Sequence, residues 1–163
     1  MIKTIDMTTD KEKGRKARRY GRLYDQIETL LKKCELPRAR MASVASVLHH
    51  KMDKFFWTGF YLLEDGELIV GNYQGPVACM VLAKDTGVCW AAVNAAETVV
   101  VEDVHKFPGH IACDSRSNSE IVVPLRDKSN NVVGVLDIDS QEFSSFDEID
   151  AEWLEKIVGL IYK

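Results

Sequence analysis

The sequence predicts an α+β fold: a central antiparallel sheet with N- and C-terminal helices packed on one side. Three observations carry this. Apolar residues recur at three- and four-residue steps near both ends of the chain. Between those ends, period-2 stretches come in pairs joined by turn signals, as antiparallel hairpins do. No internal repeat, low-complexity tract or second-domain boundary interrupts residues 1–163, so they read as one domain.

The elements follow in order. Tyr20, Leu23, Tyr24, Ile27, Leu30 and Leu31 place an amphipathic helix over about residues 10–34. "ELPRAR" at 35–40 breaks it, and Pro37 is placed to open a second helix. Met41, Val44, Ala45, Leu48 and Met52 supply that helix's apolar stripe, so the helical region runs over about 10–53. The sheet and site are expected over about 55–140. "FFWTGFYLL" and "ELIVGNYQG", joined by "EDG", form a first hairpin. The mixed stretch at 76–104 carries a short helix around 86–96 and a short strand at 98–101. "EIVVPLRD" and "NVVGVLDIDS", linked by "KSNN", form a second hairpin, in which Pro124 demotes part of the first arm to an edge or bulge position. A C-terminal helix over about 146–162 follows. Ser145 and Glu148 have capping-box spacing, and Ile149, Trp153, Ile157 and Leu160 make its stripe.

Composition narrows the function classes. A hydrophobic content of 46% suffices for one core, and 25 acidic against 21 basic residues give a net charge of −4. Neither nucleic acid nor a membrane is expected as a partner. The basic run "KEKGRKARRY" at 11–20 lacks interleaved aromatics and reads as the solvated start of a helix. No stretch approaches the roughly 18 apolar residues that span a bilayer, and no signal-peptide run opens the chain, so a cytoplasmic location is expected. In a reducing compartment the four cysteines are free for packing, ligation or redox work rather than stapling.

Cys34 extends the apolar face of the first helix and reads as a buried filler. Cys79, Cys89 and Cys113 lie near glycines, prolines and polar turn residues. Three readings are open for them: zinc ligands with His105 or His110, inert core thiols, or a redox set. The gaps of 10 and 24 residues are unlike the close cysteine pairs of structural zinc sites. A redox set needs proximity in space alone, and the polar loop around Cys113 suits an exposed attacking thiol. Asp137 and Asp139 are two apart on a strand and share a face, while Leu136 and Ile138 turn to the other. Glu120 opens the neighbouring arm. These acids read either as solvated strand ends or as a cluster needing a cation, a metal or a shared proton to relieve repulsion. Trp57 and Tyr61 share a strand face and suit a core or a pocket wall equally.

Taken together, "FFWTGFYLL", "GNYQGPVAC", "GVC" and "VEDVHKFPGHIACDSRSNSEIVVPL" resemble the GAF-domain free methionine-(R)-sulfoxide reductases, from about residue 15 to the C-terminus. The "GHIACD…SNSEIV" block is the most specific part, since ligand-sensing GAF domains lack it. The resemblance implies a single GAF-like domain in which Cys113 is the nucleophile, Cys79 the usual resolving partner and Cys89 a third member of the redox set. It implies a substrate pocket built from Trp57, Tyr61, Glu120, Asp137 and Asp139. No metal or bound cofactor is expected, thioredoxin is the external reductant, and a homodimer is the expected assembly. Trp90 departs from the pattern, where a small residue, typically glycine, follows "GVC".

That reaction would use every singled-out residue. A clustered carboxyl protonates the sulfoxide oxygen, a thiolate attacks sulfur, and remaining negative charge holds the ammonium. Backbone N–H groups of "CDSRSNS" would hold the substrate carboxylate. The alternative is a non-enzymatic GAF module that binds a small molecule or senses redox state. Such modules are usually attached to an effector domain, and no output module is read in this chain.

Overall fold

A computed structural model describes residues 7–110 and 113–163. Two helices come first, α1 (Met7–Leu31) and α2 (Pro37–Lys51), followed by strands β1 (Trp57–Glu64), β2 (Glu67–Gln74) and β3 (Val81–Leu82). Then come α3 (Gly87–Ala95), β4 (Val99–Val101), β5 (Ser119–Arg126), β6 (Val132–Ser140) and α4 (Glu148–Val158). The strands form one sheet in the order β3-β2-β1-β6-β5-β4, every neighbouring pair antiparallel.

Strand alternation splits the core in two. Phe60, Ile121, Val123, Leu125, Leu136 and Ile138 face α1, α2 and α4. Their neighbours along the strands, Tyr61, Val122 and Val135 among them, face α3. The terminal helices thus share one side of the sheet, as expected, and α3 covers part of the other. Tyr20, Leu23, Ile27 and Leu31 form the buried stripe of α1, each large side chain contributing roughly 1.5–3 kcal/mol by leaving water. Pro37 does open α2, whose buried Met41, Val44, Ala45 and Leu48 match the expected stripe. Asp65 and Gly66 form the two-residue turn between β1 and β2, with φ of 49° and 82°. Positive φ at both positions suits the right-handed twist of a hairpin. Pro124 lies in β5 beyond Val122, where pairing with β4 ends, so its missing N–H faces no strand on that side.

Three expectations are corrected. Helix α1 ends at Leu31, so Cys34 lies in the connection to α2 and is only half-buried. Its carbonyl accepts a 2.7 Å bond from Nε of Arg40, a buried arginine that also reaches the carbonyls of Leu160, Ile161 and Lys163. Helix α4 is capped by Asp147 and Asp150 rather than Ser145 and Glu148. The Ser145 hydroxyl is already engaged with Ser140 and the Glu142 carbonyl, whereas Asp147 accepts from the N–H groups of Ile149 and Asp150. Asp150 is buried and also accepts from Tyr20 and Lys16, tying α4 to α1. The stripe of α4 shifts accordingly to Leu154, Ile157 and Val158, with Ile149 and Trp153 only half-buried. Strand β3 was not foreseen, because two residues carry no readable period.

Candidate active site

Strand register assembles the site. Asp139 on β6 stands opposite Trp57 on β1 and opposite Glu120 on β5. One pleat away, Asp137 stands opposite Gly59 and Val122. Three carboxyls therefore converge on the α3 side of the sheet, in its central strands. They are not solvated strand ends: Glu120 is 5% and Asp137 6% exposed, while Asp139 keeps partial exposure.

The aromatic wall depends on one glycine. A Cβ on Gly59 would lie 2.3 Å from Tyr73 Cβ and 2.6 Å from the Trp57 ring. Its absence lets the indole lie back along β1, stacked between Tyr61 at 5.8 Å and Tyr73 at 5.3 Å. Trp57 then donates through Nε1 to the Pro76 carbonyl at 3.1 Å, and the Tyr61 hydroxyl to the Cys79 carbonyl at 3.0 Å. These two rings belong to the core and also hold the loop that carries Cys79. The even choice left by sequence resolves to both roles.

That loop meets the second one at a disulfide between Cys79 and Cys113, whose Cα atoms are 5.6 Å apart across 34 residues of sequence. Residues 111 and 112, inside the "GHIACD" block, lie outside the described residues. Cys113 is exposed and Cys79 half-buried. Cys89 is free and buried, in the first turn of α3. With Cys79 and Cys113 bonded to each other, the three cysteines do not form a zinc set. His105 bonds instead to Asn118 at 2.8 Å.

All eight sequence-predicted site residues, Trp57, Tyr61, Cys79, Cys89, Cys113, Glu120, Asp137 and Asp139, border one cavity of about 210 Å³. That is small beside the ~300–1,000 Å³ of sites for drug-sized ligands, and fits a single small metabolite. Two further polar lining residues were not assigned to the pocket from sequence: Ser117 was not singled out, and His110 was considered only as a zinc ligand. His110 brings Nδ1 within 3.9 Å of a Glu120 oxygen, and Ser117 stands beside Asp139 and favours its ionised form. Both stand in the loop block already noticed, but loop sequence does not encode which side chains turn inward. Conversely, the expected N–H cradle shrinks. Among the described residues, the N–H groups of Arg116, Ser117 and Asn118 go to Asp114 and Ser140, leaving those of Cys113, Asp114 and Ser115.

Burial dominates the electrostatics. It pushes Asp137 up to about 6, although contact with Glu120 and Cys89 pulls it partly back. Glu120 rises well above its ordinary value through burial and then through Asp137 and Asp139; Asp139 rises through burial and then Asp137. The Cys89 thiol is pushed well up by burial and by Asp137, and burial lowers His110, so that imidazole stays neutral. Burial and mutual repulsion thus raise the proton affinity of all three cavity acids, so that one is suited to donate a proton while another ionises against a cation.

This has a stability consequence. The folded state holds the Asp137 proton up to a pH of about 6, while an unfolded carboxyl releases it near 3.8. The ligand-free protein therefore loses stability as pH rises through that window, by roughly 3 kcal/mol. Asp137→Asn removes that loss. By scanning calorimetry its melting temperature should match wild type near the bottom of the window and exceed it by several degrees above the top. A variant that melts lower at the alkaline end would show the buried charge to be already compensated.

A six-stranded antiparallel sheet with helices on both faces and a small cavity beside its central strands is the architecture of a GAF domain. The GAF domain family model matches residues 41–161. The chain is 47% identical over 150 residues to GAF domain-containing protein A of Dictyostelium discoideum, covering 91% of this chain and 94% of that one. It is 45% identical over 125 residues to the free methionine-R-sulfoxide reductase of Escherichia coli, covering 77% and 75%. The solved free methionine-R-sulfoxide reductase of Neisseria meningitidis, in complex with its substrate, matches with a TM-score of 0.86 at 40% identity, covering 90% and 88%. The chain belongs to the GAF-domain free methionine-R-sulfoxide reductase family.

Proposed function

We propose that this protein reduces free L-methionine-(R)-S-oxide to methionine, with Cys113 as nucleophile and Cys79 as resolving cysteine. The observation that carries this is the meeting of the Cys79–Cys113 pair and three clustered carboxyls, Glu120 and Asp137 buried and Asp139 partly so, on one small cavity. In the reduced protein a cavity acid donates its proton to the sulfoxide oxygen, making sulfur electrophilic. The Cys113 thiolate attacks that sulfur, methionine leaves as the thioether, and the oxygen passes to Cys113 as a sulfenic acid. Substrate sulfur gains two electrons and Cys113 loses two. The Cys79 thiol then displaces water from the sulfenic acid, closing the disulfide.

The other residues have parts in the same cycle. A second carboxyl ionises against the substrate ammonium, Trp57 packs on the S-methyl end, and Tyr61 holds the Cys79 loop through its hydroxyl. Asp114 and Ser115 N–H groups meet the substrate carboxylate. Cys89 is a reserve thiol, since its buried, protonated state makes it the slower partner. The cycle needs no resident cofactor. We take thioredoxin as the dithiol that reopens the disulfide, a homodimer as the working form and the cytoplasm as the location, following the family resemblance. Among the described residues, no helix is long and apolar enough to cross a membrane.

The test counts methionine. Reduced wild type, given free methionine-R-sulfoxide without a reductant, should release about one methionine per chain and then carry a Cys79–Cys113 bridge by mass mapping. Cys79→Ser should release the first equivalent at a similar rate, yet fail to turn over with thioredoxin. A Cys89–Cys113 bridge in wild type would transfer the resolving role to Cys89. No methionine at all would overturn the reaction.

A further inference from the structure

Cys89 has a second set of neighbours that the proposed cycle does not require it to have. One ligand atom each from Cys89, Glu120 and Asp137 lie within 4.8 Å of one another, and all three residues are buried. Oδ1 of Asp137, 6% exposed, has no hydrogen-bond partner among the described residues. Neither has Nε2 of His110, whose other ring nitrogen stands 3.9 Å from Glu120. A buried acceptor without a donor is destabilising unless something positive fills the space beside it.

From this geometry we infer that Cys89, Glu120 and Asp137 form a binding site for a thiophilic divalent cation such as Zn²⁺ or Cd²⁺, overlapping the amino-acid pocket. Around zinc, sulfur sits at ~2.3 Å and carboxylate oxygen at ~2.0–2.2 Å, which puts tetrahedral ligand atoms roughly 3.3–3.7 Å apart. Side-chain rotations of about an ångström close this trio on an ion. One thiolate with two carboxylates carries three negative charges, and a divalent cation offsets the burial and mutual repulsion that raise the proton affinity of Cys89 and Glu120. The neutral His110 imidazole is the nearest fourth donor, and water completes the shell. On binding, the Cys89 thiol and any protonated carboxyl release their protons, so affinity rises with pH. The site is separate from the Cys79–Cys113 pair and stays formed while that pair is oxidised. Its geometry stands by itself; the consequence that the metal excludes substrate rests on the reductase reading.

The oxidised protein is the clean test material, because only Cys34 and Cys89 are then free thiols. Titration with Cd²⁺ should give a saturable thiolate-to-cadmium charge-transfer band at one equivalent per chain. Cys89→Ser should abolish the band, Asp137→Asn should weaken binding about 10-fold or more, and Cys34→Ser should leave it unchanged. The two site variants are measured in parallel, so one that fails to fold leaves the other to decide. No saturable band, or a band lost with Cys34 and kept without Cys89, overturns the site. Free methionine should displace the cadmium if its ammonium uses the same acids. A cadmium site that free methionine leaves untouched upholds the cation site while counting against the amino-acid pocket, so the two readings fail separately.

Discussion

Cys113→Ser is expected to bind free methionine-R-sulfoxide and release no methionine, with single-turnover formation falling by roughly 10³-fold or more. A serine hydroxyl ionises far above neutral pH, and a neutral hydroxyl does not replace a thiolate on sulfur. The substitution is conservative where it sits. Cys113 is exposed and in a loop, so removing its sulfur opens no core cavity. It does remove the bridge that joins two loops at the pocket mouth, and a binding measurement is therefore needed beside the kinetic one. Isothermal titration of the reduced variant with the sulfoxide supplies it. Retained affinity with lost chemistry places the nucleophile at Cys113. A variant that still releases methionine would move the nucleophile to another thiol, with Cys89 the first to examine.

The second large effect concerns the substrate's charged ends. A methionine sulfoxide residue inside a peptide has neither ammonium nor carboxylate. It would leave Glu120, Asp137 and Asp139 facing an amide, and each buried polar group left unpaired costs about 1–3 kcal/mol. Sites built around substrate polar groups reject analogues lacking them by up to ~10⁴-fold. Discrimination of about that size is expected between the free amino acid and its N-acetyl, C-amide form, measured as a ratio of kcat/KM. The acids responsible are carried on the paired strands β5 and β6 rather than on loops, so they cannot swing aside to suit a blocked substrate. Comparable rates on both forms would mean that the carboxyls serve the fold and not recognition.

Much of this was legible in the chain itself. The period-2 pattern of "NVVGVLDIDS" put Asp137 and Asp139 on one face and Leu136 and Ile138 on the other, and Leu136 and Ile138 are fully buried against the helices. Pro37 opened α2 and the "EDG" turn closed the first hairpin as read. The Cys79–Cys113 pairing was implied by resemblance alone, since the spacing of the cysteines left zinc, packing and redox readings open. The helix ends were less legible. Ser145 and Asp147 are both good caps, and the choice between them fell to whichever side chain the β6–α4 connection left free.

What the sequence by itself determined was therefore local: which stretches are helix or strand, which residues share a face, and where the chain turns. These depend on backbone torsions and on a repeat of 3.6 or 2 residues, both written in neighbouring positions. Only the tertiary structure decided the rest. It set Glu120 opposite Asp139, brought His110 and Ser117 inward, laid Trp57 over Gly59 and bonded two loops 34 residues apart. Above all, it buried the acids. A carboxyl's proton affinity depends on the water and charge within a few ångströms of it, and that surrounding is supplied by β1, β5 and α3, strands and a helix far apart in the chain.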